Sequence, residues 1–583
     1  IMLENRSLDN VLGWLYKNER PKKNIPNQAI PSFNGLTEDM FNLNAQGQKI
    51  PAGFATKLNT PSVDPNEQFQ YINYQLFESK ANPSPLEKPS MGGFYKDYAS
   101  KFLPTSSDAR EIMEAYTPED LPILNGLAKN YAVCDAYFSS VPTQTNVNRA
   151  FAATGNSLGL NADNELTSFV NNRNMDLLTL FSPKGQQFNQ LSMWNVLTEN
   201  DKTDWTIFYS KAQKAEGDIF SGDEQLFNEL GGEDYCYTRD LIMQLQDSKY
   251  DNNIQHIQSF LDKAAEGTLP KVSFLEPSWF LSYDGEGVNG NDYHPPANLL
   301  PGEQLLKTIY EALTFNTKAW QKTLLIINFD EHGGTYDHVA PPWRATPPWG
   351  YGTPKPTVKE HDFDFDRFGV RVPLILVSPY IEESVVFRAE SDGPPYDHTS
   401  VIATILKWQG IAKENWNLGS RVYNAPTFEG VLTRVSPRTV VPDLKQNKTP
   451  PPVRGDIHPN EFLLRAGEKK IRDAVAQTGL NPAQVVQLNL QPLTNATTVN
   501  ALKELVQQEL EKIKNTDTST PGEQPLTATQ VDNAYESIAS AVKKKGLNDK
   551  QISSLELQQP KTAKNLSELK SIVQQGIQKI ESA

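Results

Sequence analysis

A chain of 583 residues exceeds what one ordinary core fills, so two or more domains are expected. Aromatic residues at 10% and nine tryptophans supply a large interior, while a formal charge of −15 argues against a binder of nucleic-acid phosphates, which needs a basic surface. No apolar run reaches the roughly 18 residues of a membrane-spanning helix. Cys134 and Cys236 allow one disulfide at most and exclude a cysteine-built zinc cluster.

The chain opens on "IML", an apolar run that stops at Glu4 and Asn5. It reads as the tail of a strand whose beginning lies upstream, where any signal peptide would also lie. A second strand is expected in "YAVCDAYF" from Tyr131, followed by a helical stretch from about Val147 with Thr145 just before it. Further strands are expected in "WTIFYS" from Trp205, "KVSFL" from Lys271, "TLLIINF" from Thr323 and "VPLILVS" from Val372, with an amphipathic helix in "PGEQLLKTIYEALTF" from Pro301. Continuous apolar strands separated by helices predict an α/β domain over residues 1–445, with a mostly parallel central sheet covered by helices on both faces. Ligands in such sheets collect at the carboxyl ends of the strands.

The texture changes near Lys445. Residues 446–458 fall in a proline-rich linker, "KQNKTPPPVRGD", and beyond it only helical patterns follow. This all-α tail repeats itself. "IRDAVAQTGLNPAQVVQLNLQ" from Ile471 matches "IASAVKKKGLNDKQISSLELQ" from Ile538, and "LKELVQQELEKI" from Leu502 matches "LKSIVQQGIQKI" from Leu569, at a constant offset of 67 residues. Gly479 and Gly546, each followed by Leu-Asn, read as a helix stop and the cap of the next helix. Two tandem modules, 459–515 and 526–583, are expected, serving either as packing spacers or as a binding region for a cell-surface or protein partner.

Two strands end on hard oxygen ligands: Glu4 with Asn5, and Asp330 with Glu331. Singly, each pair is commonly a helix cap or a solvated loop. If the strands lie side by side, three carboxylates and an amide converge. Unit charges about 4 Å apart repel by roughly 4 kcal/mol at an effective dielectric of about 20. A divalent cation removes that repulsion, and an all-oxygen shell favours Ca²⁺, with Mg²⁺, Mn²⁺ or Zn²⁺ as alternatives. Thr145 stands at a helix start, where anions bind. It is either an N-cap or, touching the same cation, a nucleophile activated as a metal-bound water is, its pKa lowered to about 7.

The segments "MLENRSLDNVLG", "YFSSVPTQTNVNR", "NDYHPPANLLPGEQLLKTIYEAL", "TLLIINFDEHGGTYDHV", "FGVRVPLILVSPYI" and "DHTSVIATIL" resemble, in order, those of the bacterial and plant phospholipase C/acid phosphatase family. The resemblance covers about residues 1–410. It implies an alkaline phosphatase-like fold and a secreted or periplasmic metal-dependent phosphoesterase working through a phosphothreonine. The substrate would be a phospholipid or, alternatively, a phosphate monoester. The metal shell falls on Glu4, Asn5, Thr145, Asp330 and Glu331, the nucleophile on Thr145, and the histidine that meets the phosphoryl group or donates a proton to the leaving oxygen on His294. His332, His338, His398 and Asn148 match positions expected to bind substrate or support the ligands.

Two departures matter: after Ser7 the family's F-D-H is here Leu8-Asp9-Asn10, and the second is the more serious. Glu67 stands where the family carries a phosphate-facing histidine, and a carboxylate there would repel a dianionic phosphoryl group. Glu67 is therefore turned away, or serves as an extra acid or metal ligand, or meets a cationic head group. Two other readings are weaker. An adhesion protein working through the repeats would have no reason to keep all five ligands, and a sulfatase would need a C-x-P-x-R context that neither cysteine has.

Overall fold

The computed structural model describes residues 1–102, 108–161, 163–172, 188–210, 236–278, 282–283 and 288–446. Of the tail it describes chiefly 482–491, 499–516 and 566–582, with scattered residues between them. The chain divides into two compact units, Ile1–Arg472 with Gln491–Gln507, and Asp473–Leu490 with Gln508–Ala583. The expected linker lies outside the described residues, Gln446 apart.

The first unit is mixed α/β. Its main sheet is built from β1 (Met2–Leu3), β2 (Lys23–Ile25), β3 (Ala132–Cys134), β7 (Leu325–Phe329), β8 (Leu374–Val377) and β9 (Val385–Phe387), in the order β1-β7-β8-β3-β9-β2. Every neighbouring pair is parallel except those of β8, which runs against both β7 and β3. β8 and β3 are buried along their whole length, as continuous apolar runs require. The runs from Trp205 and Lys271 do form strands, β4 (Trp205–Tyr209) and β6 (Val272–Leu275). β4 is the central strand of a separate three-stranded sheet, pairing in parallel with β6 on one side and with β5 (Ile254–His256) on the other. Burial makes a strand apolar but says nothing of its partner or direction.

Two helices position the chemistry. Helix α1 (Thr145–Thr154) follows β3 and ends on Gly155 in the left-handed conformation. Helix α2 (Leu300–Phe315) buries Leu305, Leu306, Ile309, Tyr310 and Leu313, a stripe at helical spacing, as its sequence predicted. In the tail, α3 (Val499–Lys514) and α4 (Leu566–Ser582) fall on the matching segments, with the equivalent Ile513 and Ile580 both buried. The remainder of both modules lies largely outside the described residues. Among those residues, no helix is long and apolar enough to cross a membrane.

Candidate active site at the carboxyl ends of two paired strands

The parallel pairing of β1 with β7 sets Met2 opposite Asn328 and Leu3 opposite Phe329. The next residues, Glu4 and Asp330, therefore leave the sheet together. The Asn5 backbone adopts φ +54, a left-handed conformation that asparagine tolerates better than most residues, and its N–H donates to Asp330 Oδ1 at 3.1 Å. The Arg149 guanidinium from α1 lies between the two acids. Its Nε is 3.0 Å from Asp330 Oδ2 and 3.5 Å from Glu4 Oε1, and its NH2 donates to the Leu3 carbonyl. The charge expected from an ion between Glu4 and Asp330 is thus supplied, in part, by a side chain.

The Asn5 amide joins the other predicted residues. Its Oδ1 accepts from the Thr145 hydroxyl at 3.3 Å, and its Nδ2 donates to Glu67 Oε1 at 2.5 Å and to His294 Nε2 at 2.9 Å. Thr145 is the first residue of α1 after Gln144, and its hydroxyl reaches the site instead of capping the helix. Glu67 is buried and faces the site, so the reading in which it turns away falls. His294 Nδ1 lies against the Pro295 carbonyl, which only accepts, so Nδ1 carries the proton. With Nε2 accepting from Asn5, the ring is a neutral imidazole presenting a lone pair.

Buried acids crowd around this amide. Burial holds the Glu4 and Glu331 carboxyls well above their usual range and pushes Asp292 up to about 7. Glu331 Oε1 and Asp292 Oδ2 accept no hydrogen bond, in a setting where buried polar atoms ordinarily find one. Against Glu4, Asp292, Asp330 and Glu331, the described residues bring Arg149 into contact, with Arg6 beside Asp292. Excess buried carboxylate with open lone pairs fits a hard divalent cation. Asn5, Thr145, Glu331, Asp330 and Glu4 are the residues that would hold it.

The glycines after Glu331 keep this geometry possible. Gly333 lies at φ +58, and a Cβ there would stand 2.2 Å from the Asn5 carbonyl oxygen. Its N–H donates to Glu331 Oε2 at 2.7 Å. Gly333→Ala is expected to cost about 1–3 kcal/mol of stability and to lower activity with it, because the backbone carrying Asn5 must move. Thermal unfolding and steady-state assays on one preparation check this.

Of the remaining predicted residues, His332, His398 and Asn148 support the site from outside, and His338 does not. His332 Nε2 donates to Gln75 Oε1 at 2.8 Å, and burial lowers the ring's pKa to about 3, so it stays neutral beside Glu331. His398 Nε2 donates to the Phe329 carbonyl at 3.0 Å and thereby pins the end of β7. His338 belongs to a separate network, its Nδ1 2.6 Å from Asp9, with Arg371 bridging Asp9 and Asp337. Asn148 holds the loop before Thr145 by donating to the carbonyls of Val141 and Thr143. Cys134 and Cys236 are free and buried.

Sequence reasoning missed Arg149, Asp292 and Asp64. Arg149 stands four residues after Thr145, one helical turn along the same helix, which was the available signal. Asp292 stands two residues before His294, and its Oδ1 accepts from the His294 N–H at 3.1 Å. Asp64 had no signal, since the segment carrying it is irregular.

The Phosphoesterase family model matches residues 1–412. A protein named non-specific phospholipase C6 from Arabidopsis thaliana is 32% identical over 449 residues, covering 76% of this chain and 73% of its own. Non-specific phospholipase C3 of the same plant is 32% identical over 451 residues, covering 76% and 74%. Phospholipase C B of Mycobacterium tuberculosis is 28% identical over 327 residues, covering 54% and 55%.

Proposed function

The chain belongs to the phosphoesterase family and is a phosphoric ester hydrolase, and from that premise we propose that it acts as a phospholipase C through Thr145. The observation carrying this reading is the contact of the Thr145 hydroxyl with Asn5 Oδ1, at the carboxyl ends of β1 and β7 and beside four buried carboxylates. The Thr145 hydroxyl gives up its proton as its oxygen attacks phosphorus, the bond from phosphorus to the glycerol oxygen breaks, and diacylglycerol leaves with that proton. Water then attacks phosphorus, breaks its bond to Thr145 and releases the phosphorylated head group. Glu4, Asn5, Thr145, Asp330 and Glu331 would hold a divalent cation, which would supply positive charge to lower the hydroxyl pKa and to offset that of the phosphoryl group. Asn5 orients the threonine hydroxyl through its Oδ1, while Arg149 holds Glu4 and Asp330 in register. The oxygen donors favour Ca²⁺ at this position.

The alkaline phosphatase-like architecture and a location outside the cytoplasm belong to the same reading, as the resemblance of the six segments implies. The tail from residue 459 onward takes no part in the chemistry and serves as two helical modules. Acid quenching during turnover of phosphatidylethanolamine, followed by peptide mass analysis, tests the central step. A head-group phosphate adduct on Thr145, with diacylglycerol as the lipid product, is the expected result. Phosphatidate as the product, or an adduct on another residue, overturns it.

A further inference from the structure

Two clusters in the described residues bring three carboxylate or imidazole ligand atoms within 4.8 Å of one another: Asp9–Asp337–His338 and Asp64–Glu67–His294. The first is an ion-pair network. The Arg371 guanidinium reaches Asp337 at 2.9 Å and Asp9 at 3.0 Å and fills the place a cation would take.

The second differs in its chemistry. His294 is 1% exposed and Glu67 6%. His294 Nδ1 lies 3.9 Å from Asp64 Oδ1, and Nε2 lies 3.9 Å from Glu67 Oε1. A histidine that ligates a metal commonly donates its other ring N–H to a carbonyl or carboxylate, which fixes the tautomer. His294 does this through Nδ1 to the Pro295 carbonyl, and Nε2 is left as a lone pair. The Asn5 Nδ2 group bridges that lone pair and Glu67 Oε1, so its two hydrogens stand where a positive charge is wanted. An independent observation comes from Glu331. Its fully buried Oε1 accepts no hydrogen bond, and its carboxyl meets that of Glu67, with Asp64 close by. Two ionised carboxylates offer each other no donor, so a cation or a shared proton belongs between them.

We propose that Asp64, Glu67 and His294 hold a second divalent cation, with Glu331 bridging it to the ion of the Asn5–Thr145 cradle. This rests on the metal-dependent reading above and adds a site to it. One imidazole nitrogen among carboxylate oxygens suits Zn²⁺ or Mn²⁺ better than Ca²⁺. Paired ions about 3.5–4 Å apart clamp the attacking and leaving oxygens of an in-line displacement. His294 would then act as a ligand through Nε2, in keeping with its tautomer. Glu67 ceases to be an obstacle to phosphate, because its charge is spent on the ion.

The test loads the full chain with Mn²⁺ after chelation and counts bound metal by mass spectrometry, with electron paramagnetic resonance as a second readout. Two ions per chain and an exchange-coupled signal are expected for the wild type. Glu67→Gln and Asp64→Asn should each retain one ion, lose the coupled signal and bind the second more than about 100-fold more weakly. Two near-isosteric variants are used so that one misfolded protein, detected by thermal unfolding, leaves the other to decide. One ion in the wild type, unchanged in both variants, overturns the second site and leaves the first. No bound ion in the wild type overturns both. Two ions retained in both variants overturn the assignment to these residues, and with one ion throughout, a gain by Glu67→His on p-nitrophenyl phosphate marks Glu67 as a repulsive group instead.

Discussion

Thr145→Ala lowers turnover of phosphatidylcholine by at least about 10³-fold, roughly 4 kcal/mol of transition-state stabilisation, with little change in stability. The large effect follows from the place of the hydroxyl. Thr145 is buried at the first position of α1, and its Oγ1 donates to Asn5 Oδ1 and makes no capping bond to the helix. Removing it leaves the backbone and the carboxylates where they are. Thermal unfolding of the variant separates a lost nucleophile from a lost fold. Turnover within about tenfold of the wild type would sink the threonine mechanism.

Arg149→Met is expected to destabilise the protein by about 3–5 kcal/mol, since it strands Glu4 and Asp330 without their guanidinium in a buried site. Arg149→Lys should recover part of that loss, because lysine keeps the charge but not the fork that reaches both acids and the Leu3 carbonyl. The deficit depends on pH with a definite sign. Burial already raises Glu4 above the ordinary value of 4.5, and loss of the neighbouring cation raises it further. The folded variant therefore holds a proton that the unfolded chain has released, and its stability falls as pH rises above about 4.5. Urea unfolding of wild type and variant at pH 5 and pH 8 measures this. An equal difference at both values would show that these acids do not depend on Arg149.

Some of the site was legible because chemistry and spacing were local. An apolar run that ends on Glu4–Asn5, and another that ends on Asp330–Glu331, each mark a buried strand delivering oxygen ligands at its carboxyl end, and parallel pairing puts them side by side. Thr145 was legible as a hydroxyl at a helix start, and the glycines after Glu331 as room for close backbone approach. The antiparallel course of β8 and the separate sheet of β4, β5 and β6 were not, because an apolar run carries neither direction nor partner.

Apolar runs and residue spacing by themselves marked an α/β domain with Glu4, Asn5, Asp330 and Glu331 at strand ends and Thr145 at a helix start, while the phosphoesterase activity and the place of His294 were implied by the resemblance of six segments to a known family. The strand-end acids and the hydroxyl follow from residue type and local periodicity, which a chain displays in one dimension. Only the tertiary structure decided that Arg149 lies between Glu4 and Asp330, that Glu67 turns inward to the Asn5 amide, and that Asp64 and Asp292 belong to the site. Those are contacts between segments far apart in the chain. They are selected by burial and charge balance in the folded interior, and local spacing shows no more than that Arg149 lies one turn after Thr145 and Asp292 two residues before His294.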